Sequence, residues 1–447
     1  MLILDVPAEM IILDSKLERW VEKSIKQHCQ AEKDKSVPAT AFFLIGSFCS
    51  DGDIHVAYVA KCPLPGSADD LGGDKLSKTL DDEWLSDSAE KITRMLPGGI
   101  NVVGVAWFSN RKVFDEQRQM ITRALARIQR TNNSLTTLSI NNVNETMGLV
   151  YIETPNGKPQ GVIIDVVKRG PESSTKVHFT PLEWISLVTN ASTKVTLNVP
   201  YRGNQPDFYK EFYASLRPFA ENLFACDMIL IDGNIRENTE PLFENPKKKK
   251  ANSIEIQMFI DPCFNKENEI QCKSADNLHE ISFDMEIRAA VPIRSKIEAV
   301  KTAVKHHLIR SLMARAELHY ESMEIAEDGE QDGPCSVHQL PRICTTLLPV
   351  NGSVLVQDYL FEADSVEDAQ NNFKEILELD TNIEHVDEGW ERALLPEEME
   401  SVRCPLDSSP LVSLKPNEDD ISLTPVLIVL AIIVGVVSIV VYLTMGH

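Results

Sequence analysis

The feature that most constrains this chain is the stretch from Leu423 to Leu443. It is 21 residues long, carries no charge, and has only Thr424, Ser438 and Tyr442 as polar side chains among Val, Ile, Leu and small residues. As a helix rising ~1.5 Å per residue it reaches about 32 Å, enough to cross a hydrocarbon core of about 30 Å. Buried helices of soluble domains rarely run this far without a charge, so the expectation is a membrane span. Only Thr444 to His447 follow it, which points to a tail anchor inserted after synthesis. Met1 to Trp20 is interrupted by Asp5, Glu9 and Asp14 and has no basic leader or small-residue cleavage site, so it does not read as a signal peptide. The first 420 residues are therefore expected to face the cytosol. Ala431 and Gly435 make one small-xxx-small spacing, which suits either lipid or a neighbouring helix.

The part before the span is long enough for two or three domains with their own cores. Its formal net charge of −23 argues against nucleic acid and against broad attraction to anionic lipid. Much of that charge is local: Glu362 to Glu400 contains fourteen acidic and two basic residues. The first reading of such a run is a solvated face, the second a docking surface for a basic partner. Nine cysteines without a Cys-x-x-Cys pair or metal-ligand spacing fit a reducing compartment. Sequons at Asn132, Asn144, Asn190 and Asn351 are chance matches if the head is cytosolic, and so test the topology.

Along the chain, Ser15–Ala31 has helical apolar spacing with Ser15 as its expected N-cap. Ala41–Phe48 and Ile54–Ala60 read as strands joined by Ser50-Asp51-Gly52-Asp53, and Gly66–Asp82 as a loop. Trp84–Met95 reads as a helix, Pro97-Gly98-Gly99 as a turn, Ile100–Phe108 as a strand and Phe114–Arg130 as an amphipathic helix. This order predicts an α/β domain over 1–150, with a boundary that can run later. The turn and its apolar strand, Leu96 to Gly104, resemble the JAMM/MPN fold. In the active metalloproteases of that fold such a strand ends in His-x-His, with Ser and Asp farther on, to hold zinc and activate water. The matching positions here are Trp107, Ser109, Gln117 and Met120, which cannot supply that ligand set. The resemblance therefore implies a non-catalytic copy, with no metal and no cofactor.

Region 151–245 is expected to be strand-rich, with an aromatic helix over Asp207–Ala225 whose Phe208, Tyr209, Phe212, Tyr213 and Phe219 read as core, and a short buried strand at Met228–Asp232. Lys247–Lys250 reads as a solvated loop. Region 253–400 is expected to be a second α/β domain. Its strands are Ile254–Ile260, Ile281–Val291, Arg342–Leu348 and Ser353–Phe361, and its last helix is Val366–Leu379. Its long helix Ile293–Met323 is expected to bury one face through Ile297, Val300, Val304, Leu308 and Leu312. His306, His307 and His319 are read as surface or interface residues, since neighbouring helical histidines point ~100° apart and cannot readily share a metal. Cys404–Asp420 is a proline-spaced linker (404–420) before the anchor (421–444). No Gly-x-Ser-x-Gly, phosphate loop, dinucleotide fingerprint or His-Glu-x-x-His is present. Cys263, Cys272 and His279 lie close in sequence but form no recognisable motif, and read as bystander groups.

Taken together, the Leu96-Pro97-Gly98-Gly99 turn, Gly161–Asp165, the Ile293–His319 helix with Arg310-Ser311-Leu312, Asp358-Tyr359-Leu360-Phe361 and the final span resemble the odorant-response-abnormal family of receptor-trafficking accessory proteins. The resemblance implies a single-pass endoplasmic reticulum protein with a cytosolic head and luminal C-terminus. It implies a binding protein, not an enzyme, that helps odorant and other seven-transmembrane receptors fold and reach the cilium. It also implies a ubiquitin-fold-modifier-specific cysteine protease as partner. The competing expectation is a cytosol-facing hydrolase with an unrecognised site. A vesicle-fusion tether is disfavoured because Pro405, Pro410 and Pro416 interrupt any heptads before the span.

Overall fold

Two strands that read as unbroken apolar runs, Ala39–Phe48 and Asn101–Ser109, do so because both of their faces are covered. In Ala39–Phe48, Ala41, Phe43 and Ile45 belong to one buried cluster and Phe42 and Leu44 to another. The computed structural model describes residues 10–33, 39–49, 51–65, 80–134, 145–155, 157–167, 173–189, 193–201, 208–244, 252–259, 277–285, 287–325, 340–361 and 363–389. All of them fall in the unit Met1–Arg403.

The first sheet takes β1 (Ile11–Asp14), β2 (Ala39–Phe48), β3 (Ile54–Lys61), β4 (Asn101–Ser109), β5 (Thr146–Glu153), β6 (Gln160–Asp165), β7 (Ser173–Thr175) and β8 (Val177–Thr180) in the order β7-β6-β5-β4-β2-β3-β1-β8. Its two outermost strands are neighbours in sequence, separated by Lys176 alone, and Ile11 N donates to Lys176 O at 3.2 Å. The sheet therefore curls until β6 and β8 meet: a methyl group on Gly161 would come within 2.9 Å of Val177 Cγ2. Curling hides the edges that would otherwise invite strand pairing. The enclosed core holds Ile11, Leu13, Phe42, Leu44, Ile54, Val56, Val103, Phe108, Val150 and Ile152. Helix α1 (Leu17–Lys33) adds Leu17 and Val21 to it and sets Trp20 edge-on to Phe42, 4.8 Å between ring centroids.

The boundary expected near residue 150 falls inside β5, because closing this sheet requires strands as far as Thr180. Strand β1 was not anticipated; four residues are too short to display a period of two. The outer face of the sheet is covered by α2 (Asp82–Arg94), N-capped by Asp81, whose Oδ1 accepts Trp84 N at 2.7 Å, and by α3 (Arg111–Ser134).

A five-stranded sheet follows, in the order β12-β11-β13-β9-β15. It is formed by β9 (Trp184–Val188), β11 (Ile229–Ile231), β12 (Asn234–Ile235), β13 (Ser253–Met258) and β15 (Arg288–Pro292). Strands β10 (Thr193–Tyr201) and β14 (Asn277–Met285) pair with each other as a separate ribbon. Helices α4 (Phe208–Ala225) and α5 (Ile297–Ile325) cover one face of the five-stranded sheet, and Phe212 and Phe219 lie in that core, as the aromatic pattern predicts. Strands β16 (Arg342–Leu347) and β17 (Leu355–Leu360) form a hairpin that packs with α6 (Val366–Leu377) on the first core, so residues from the expected 253–400 domain complete the 1–150 one. Part of the acidic run lies on the outside of α6: Ala369, Phe373 and Leu377 turn inward while Glu367, Asp368 and Glu375 are exposed.

Helix α5 departs most from expectation. Not one face but nearly the whole of Ala303–Ala316 is buried, including Lys305, His307, Arg310, Ser311 and Arg315. His307 is thus not a surface residue, and His306 and His319 are half-buried. The reason is position: the apolar stripe Ile297, Val300, Val304, Leu308 and Leu312 faces the second core, while the opposite side is closed by the first. Among the described residues no helix is long and apolar enough to cross a membrane; the expected linker 404–420 and anchor 421–444, Lys247–Lys250, Cys263 and Cys272 lie outside them.

Burial also controls the thiols. It pushes Cys62 up to about 12, raises Cys344, and together with the Asp51 and Asp53 carboxylates pushes Cys49 up to about 12. At pH 8 the thiolate fraction of Cys62 is then roughly a thousandfold below that of an ordinary thiol. Alkylation followed by peptide mass spectrometry is expected to leave Cys62 and Cys344 unmodified in the folded protein and to modify both in denaturant; rapid labelling of either in the native state would contradict this packing.

Candidate functional site

The positions that match a zinc site lie on β4 and α3. Trp107 and Ser109 are two residues apart on β4, share a face and are fully buried. Ser109 Oγ donates to Asn110 O at 3.0 Å, a local bond that turns the hydroxyl back on the chain. Gln117 and Met120 are half-buried on α3, and Met120 packs against the apolar core. Beside them Phe114 stacks on Tyr151 with centroids 4.0 Å apart, and the Arg111 guanidinium lies 5.6 Å from the Phe114 ring and 5.8 Å from Tyr151. The place is therefore occupied by rings and an amide, and none of the four residues offers an imidazole or carboxylate. Among the described residues there is no group of three His, Cys, Asp or Glu side chains arranged to hold a metal.

A second place draws together residues far apart in sequence. The Leu96–Ile100 turn ends α2 and enters β4, and presents several backbone carbonyls to the interior. Arg310 of α5 meets them: one guanidinium nitrogen donates to Ile100 O at 2.8 Å, Pro97 O at 3.3 Å and Leu96 O at 3.4 Å, and the other to Asn101 Oδ1. No carboxylate takes part in these contacts, so the cation is held by dipoles. Burial lowers its pKa to about 10, which still leaves it charged at neutral pH.

The turn's glycines fit the same helix. A Cβ on Gly98 would lie 2.0 Å from Ala303 O, and Gly99 adopts φ +84° against Ala290 and Ala303, so only hydrogens allow the turn to reach α5. Gly98 also accepts a hydrogen bond from Ala290 N of β15 at 2.9 Å, and its N–H donates to His307 Nδ1 at 3.4 Å.

The Asp358–Phe361 segment reaches α5 from the hairpin. Gln357 N donates to Met95 O at 2.9 Å, its side chain donates to Tyr359 OH at 2.7 Å, and Tyr359 OH donates to Ser311 Oγ at 3.2 Å. Arg315 Nε donates to the same Ser311 Oγ at 3.2 Å while its guanidinium sits 5.4 Å from the Tyr359 ring. Arg94 closes the periphery, with Glu317 at 3.1 Å and Glu90 at 3.3 Å. Three segments that carry the sequence resemblance thus converge: the Leu96–Gly99 turn, Arg310-Ser311 and Asp358–Phe361. Gly161–Asp165 does not join them; it is β6 of the curled sheet. Sequence reasoning found the segments but missed Arg310 as the partner of the turn, since nothing local distinguishes a buried helical arginine from a solvated one. The junction supplies donors to a turn, and its architecture is that of a fixed joint.

Comparison with known proteins places these observations. Residues 43–388 match the family described as "ODR4-like: Odorant response abnormal 4-like". A Caenorhabditis elegans protein, Odorant response abnormal protein 4, is 49% identical over 448 residues, covering 99% of this chain and 94% of that protein. The Homo sapiens protein odr-4 homolog is 22% identical, covering 82% of this chain and 84% of its own length. Among solved structures, that of UfSP from C. elegans overlaps 83% of this chain and 56% of its own with a TM-score of 0.42 and 9% identity, a likeness too slight to carry an argument.

Replacing Arg310 with Leu removes the guanidinium from the carbonyls of Leu96 and Ile100, while Pro97 O keeps Ile100 N as a donor, and is expected to cost about 3–5 kcal/mol in urea unfolding. A loss below about 1 kcal/mol would mean that the turn does not depend on it. Elemental analysis of the purified chain is expected to find less than about 0.1 zinc per molecule; one zinc per chain, lost on Gln117→Ala substitution, would overturn the reading of the β4–α3 positions.

Proposed function

This chain belongs to the ODR4-like family, and from that premise we propose that it is a membrane-anchored accessory protein that promotes the folding, endoplasmic reticulum exit and ciliary localisation of odorant and other seven-transmembrane receptors. The observation that carries the reading is the 49% identity, across nearly its whole length, to a protein named for the odorant response. The activity is binding. The β4–α3 positions hold rings and an amide where a metalloprotease needs ligands, and the buried polar assembly around Arg310 braces a turn.

In this reading Leu423–Leu443 spans the endoplasmic reticulum membrane, the head lies in the cytosol and the last residues lie in the lumen. Anchoring raises the local concentration of the head beside membrane clients without any new contact. The sequence and its family resemblance support this arrangement. Of the four sequons, Asn132 is unsuited to report on topology: its side chain is buried and donates to Val102 O at 2.9 Å. Glycan tests of orientation therefore rest on Asn144, Asn190 and Asn351. The finer part of the proposal is that the head recruits a ubiquitin-fold-modifier-specific cysteine protease to the membrane; it rests on the family resemblance.

The test is affinity purification of the intact protein and of a version ending at Asp420 from detergent-solubilised membranes, with modifier cleavage assayed in the eluate. Both versions are expected to recover the protease, and only the intact one is expected to support receptor delivery to the cilium. Failure of both to recover it, with a known membrane complex preserved in the same extract, removes the protease from the proposal. Normal delivery without the chain removes the receptor role.

A further inference from the structure

Strand register places a bare apolar surface on the second sheet. In β11 and β13, Ile229 pairs with Met258 and Leu230 with Gln257; in β11 and β12, Leu230 pairs with Ile235. Phe259 N donates to Met228 O at 3.1 Å, which continues the first ladder by one residue. Alternation along the strands then sends Ile229, Ile231, Ile254 and Ile256 to the face under α4 and α5, where all four are buried. The same alternation sends Met228, Leu230, Ile235 and Phe259 to the opposite face. There Met228 is 52% exposed, Ile235 68% and Phe259 58%. Farther along this face, Trp184 of β9 and Ala290 of β15 are buried in the first core. Among the described residues, one side of a single sheet is thus covered over β9 and β15 and open over β11, β12 and β13.

The rim of the open part is acidic. Asp227, Asp232 and Glu237 are exposed beside it, and the half-buried Glu255 shares its face. Two cations near it among the described residues turn away: Arg236 donates to Glu240 at 3.0 Å and to Leu242 O at 2.9 Å, and Lys305 donates to Phe224 O at 2.8 Å. An apolar sheet face is ordinarily covered by a helix or another sheet. The carboxylate rim selects among occupants, because like charges across a contact cost several kcal/mol. An anionic lipid surface meets the rim with the wrong sign, and a second copy joined through the same patch sets the rim against itself.

We propose that the face formed by Met228, Leu230, Ile235 and Phe259 docks an amphipathic helix of a protein partner, one whose apolar stripe is flanked by Lys and Arg that meet Asp227, Asp232 and Glu237. The docking surface is separate from the Arg310 junction and from the β4–α3 positions, and it holds whether or not the partner is a receptor.

The test uses the full chain in zwitterionic nanodiscs and a fluorescent helical peptide of about 18 residues with a Leu/Ile/Phe stripe and Lys/Arg flanks, read by anisotropy against empty nanodiscs. The basic peptide is expected to bind, and the same peptide with Glu flanks to bind at least about tenfold more weakly. Ile235→Asp and Phe259→Asp are each expected to weaken the basic peptide about tenfold with unchanged thermal unfolding, since both side chains are exposed. Asp232→Lys combined with Glu237→Lys is expected to reverse the preference between the two peptides. No binding of the basic peptide, equal binding by the apolar variants, or equal binding of both peptides overturns the proposal. So does a result in which Ile235→Asp abolishes vesicle binding or self-association of the chain while peptide binding is unaltered.

Discussion

The guanidinium of Arg310 is the contact on which the rest of the described structure depends. A buried cation is costly unless its donors find partners, and here two guanidinium nitrogens find them on one turn and the strand it enters: the carbonyls of Leu96, Pro97 and Ile100 and the side-chain oxygen of Asn101. These contacts offset part of the desolvation on both sides. The same turn ends α2, begins β4 and bonds to β15, so holding it fixes the curled sheet, the second sheet and the central helix relative to one another. Gly98 and Gly99 allow this approach, and Ala303 on the helix leaves room for it.

Around that joint the chain is interleaved. The hairpin β16–β17 and helix α6 come late in sequence, yet Cys344, Val356, Leu360, Phe373 and Leu377 complete the first core. Helix α5 lies in the second core on one side and meets the Leu96–Ile100 turn and, through Ala314, Ile343 and Tyr359 of the hairpin on the other, which is why its charged residues are buried and why one amphipathic stripe does not describe it. Tyr359, Ser311, Arg315 and Gln357 form a hydrogen-bonded chain across this contact, inside apolar surroundings. A chain of this construction is suited to presenting surfaces at fixed relative positions. The surfaces it presents are the acidic outside of α6 and the apolar face of β11, β12 and β13.

A fold is maintained by its core, while chemistry depends on a few side chains. At β4, Trp107 contributes to the core that covers the sheet, and Ser109 donates its hydroxyl to the neighbouring carbonyl.

What the sequence alone determined is whatever depends on local pattern: the helices over Leu17–Lys33, Asp82–Arg94, Arg111–Ser134 and Phe208–Ala225, most strands, the glycine turn, and membership of a family through segments in a particular order. What only the tertiary structure decided depends on contacts across long sequence separations. The curling of the first sheet joins Ile11 to Val177, the completion of its core uses Leu360, and the burial of His307 and Arg310 follows from the Leu96–Ile100 turn closing on the far side of α5. The bare face of Met228, Ile235 and Phe259 likewise emerges only when register is known. Periodicity reports which side chains share a face of one element; it carries no information on which other element arrives to cover that face.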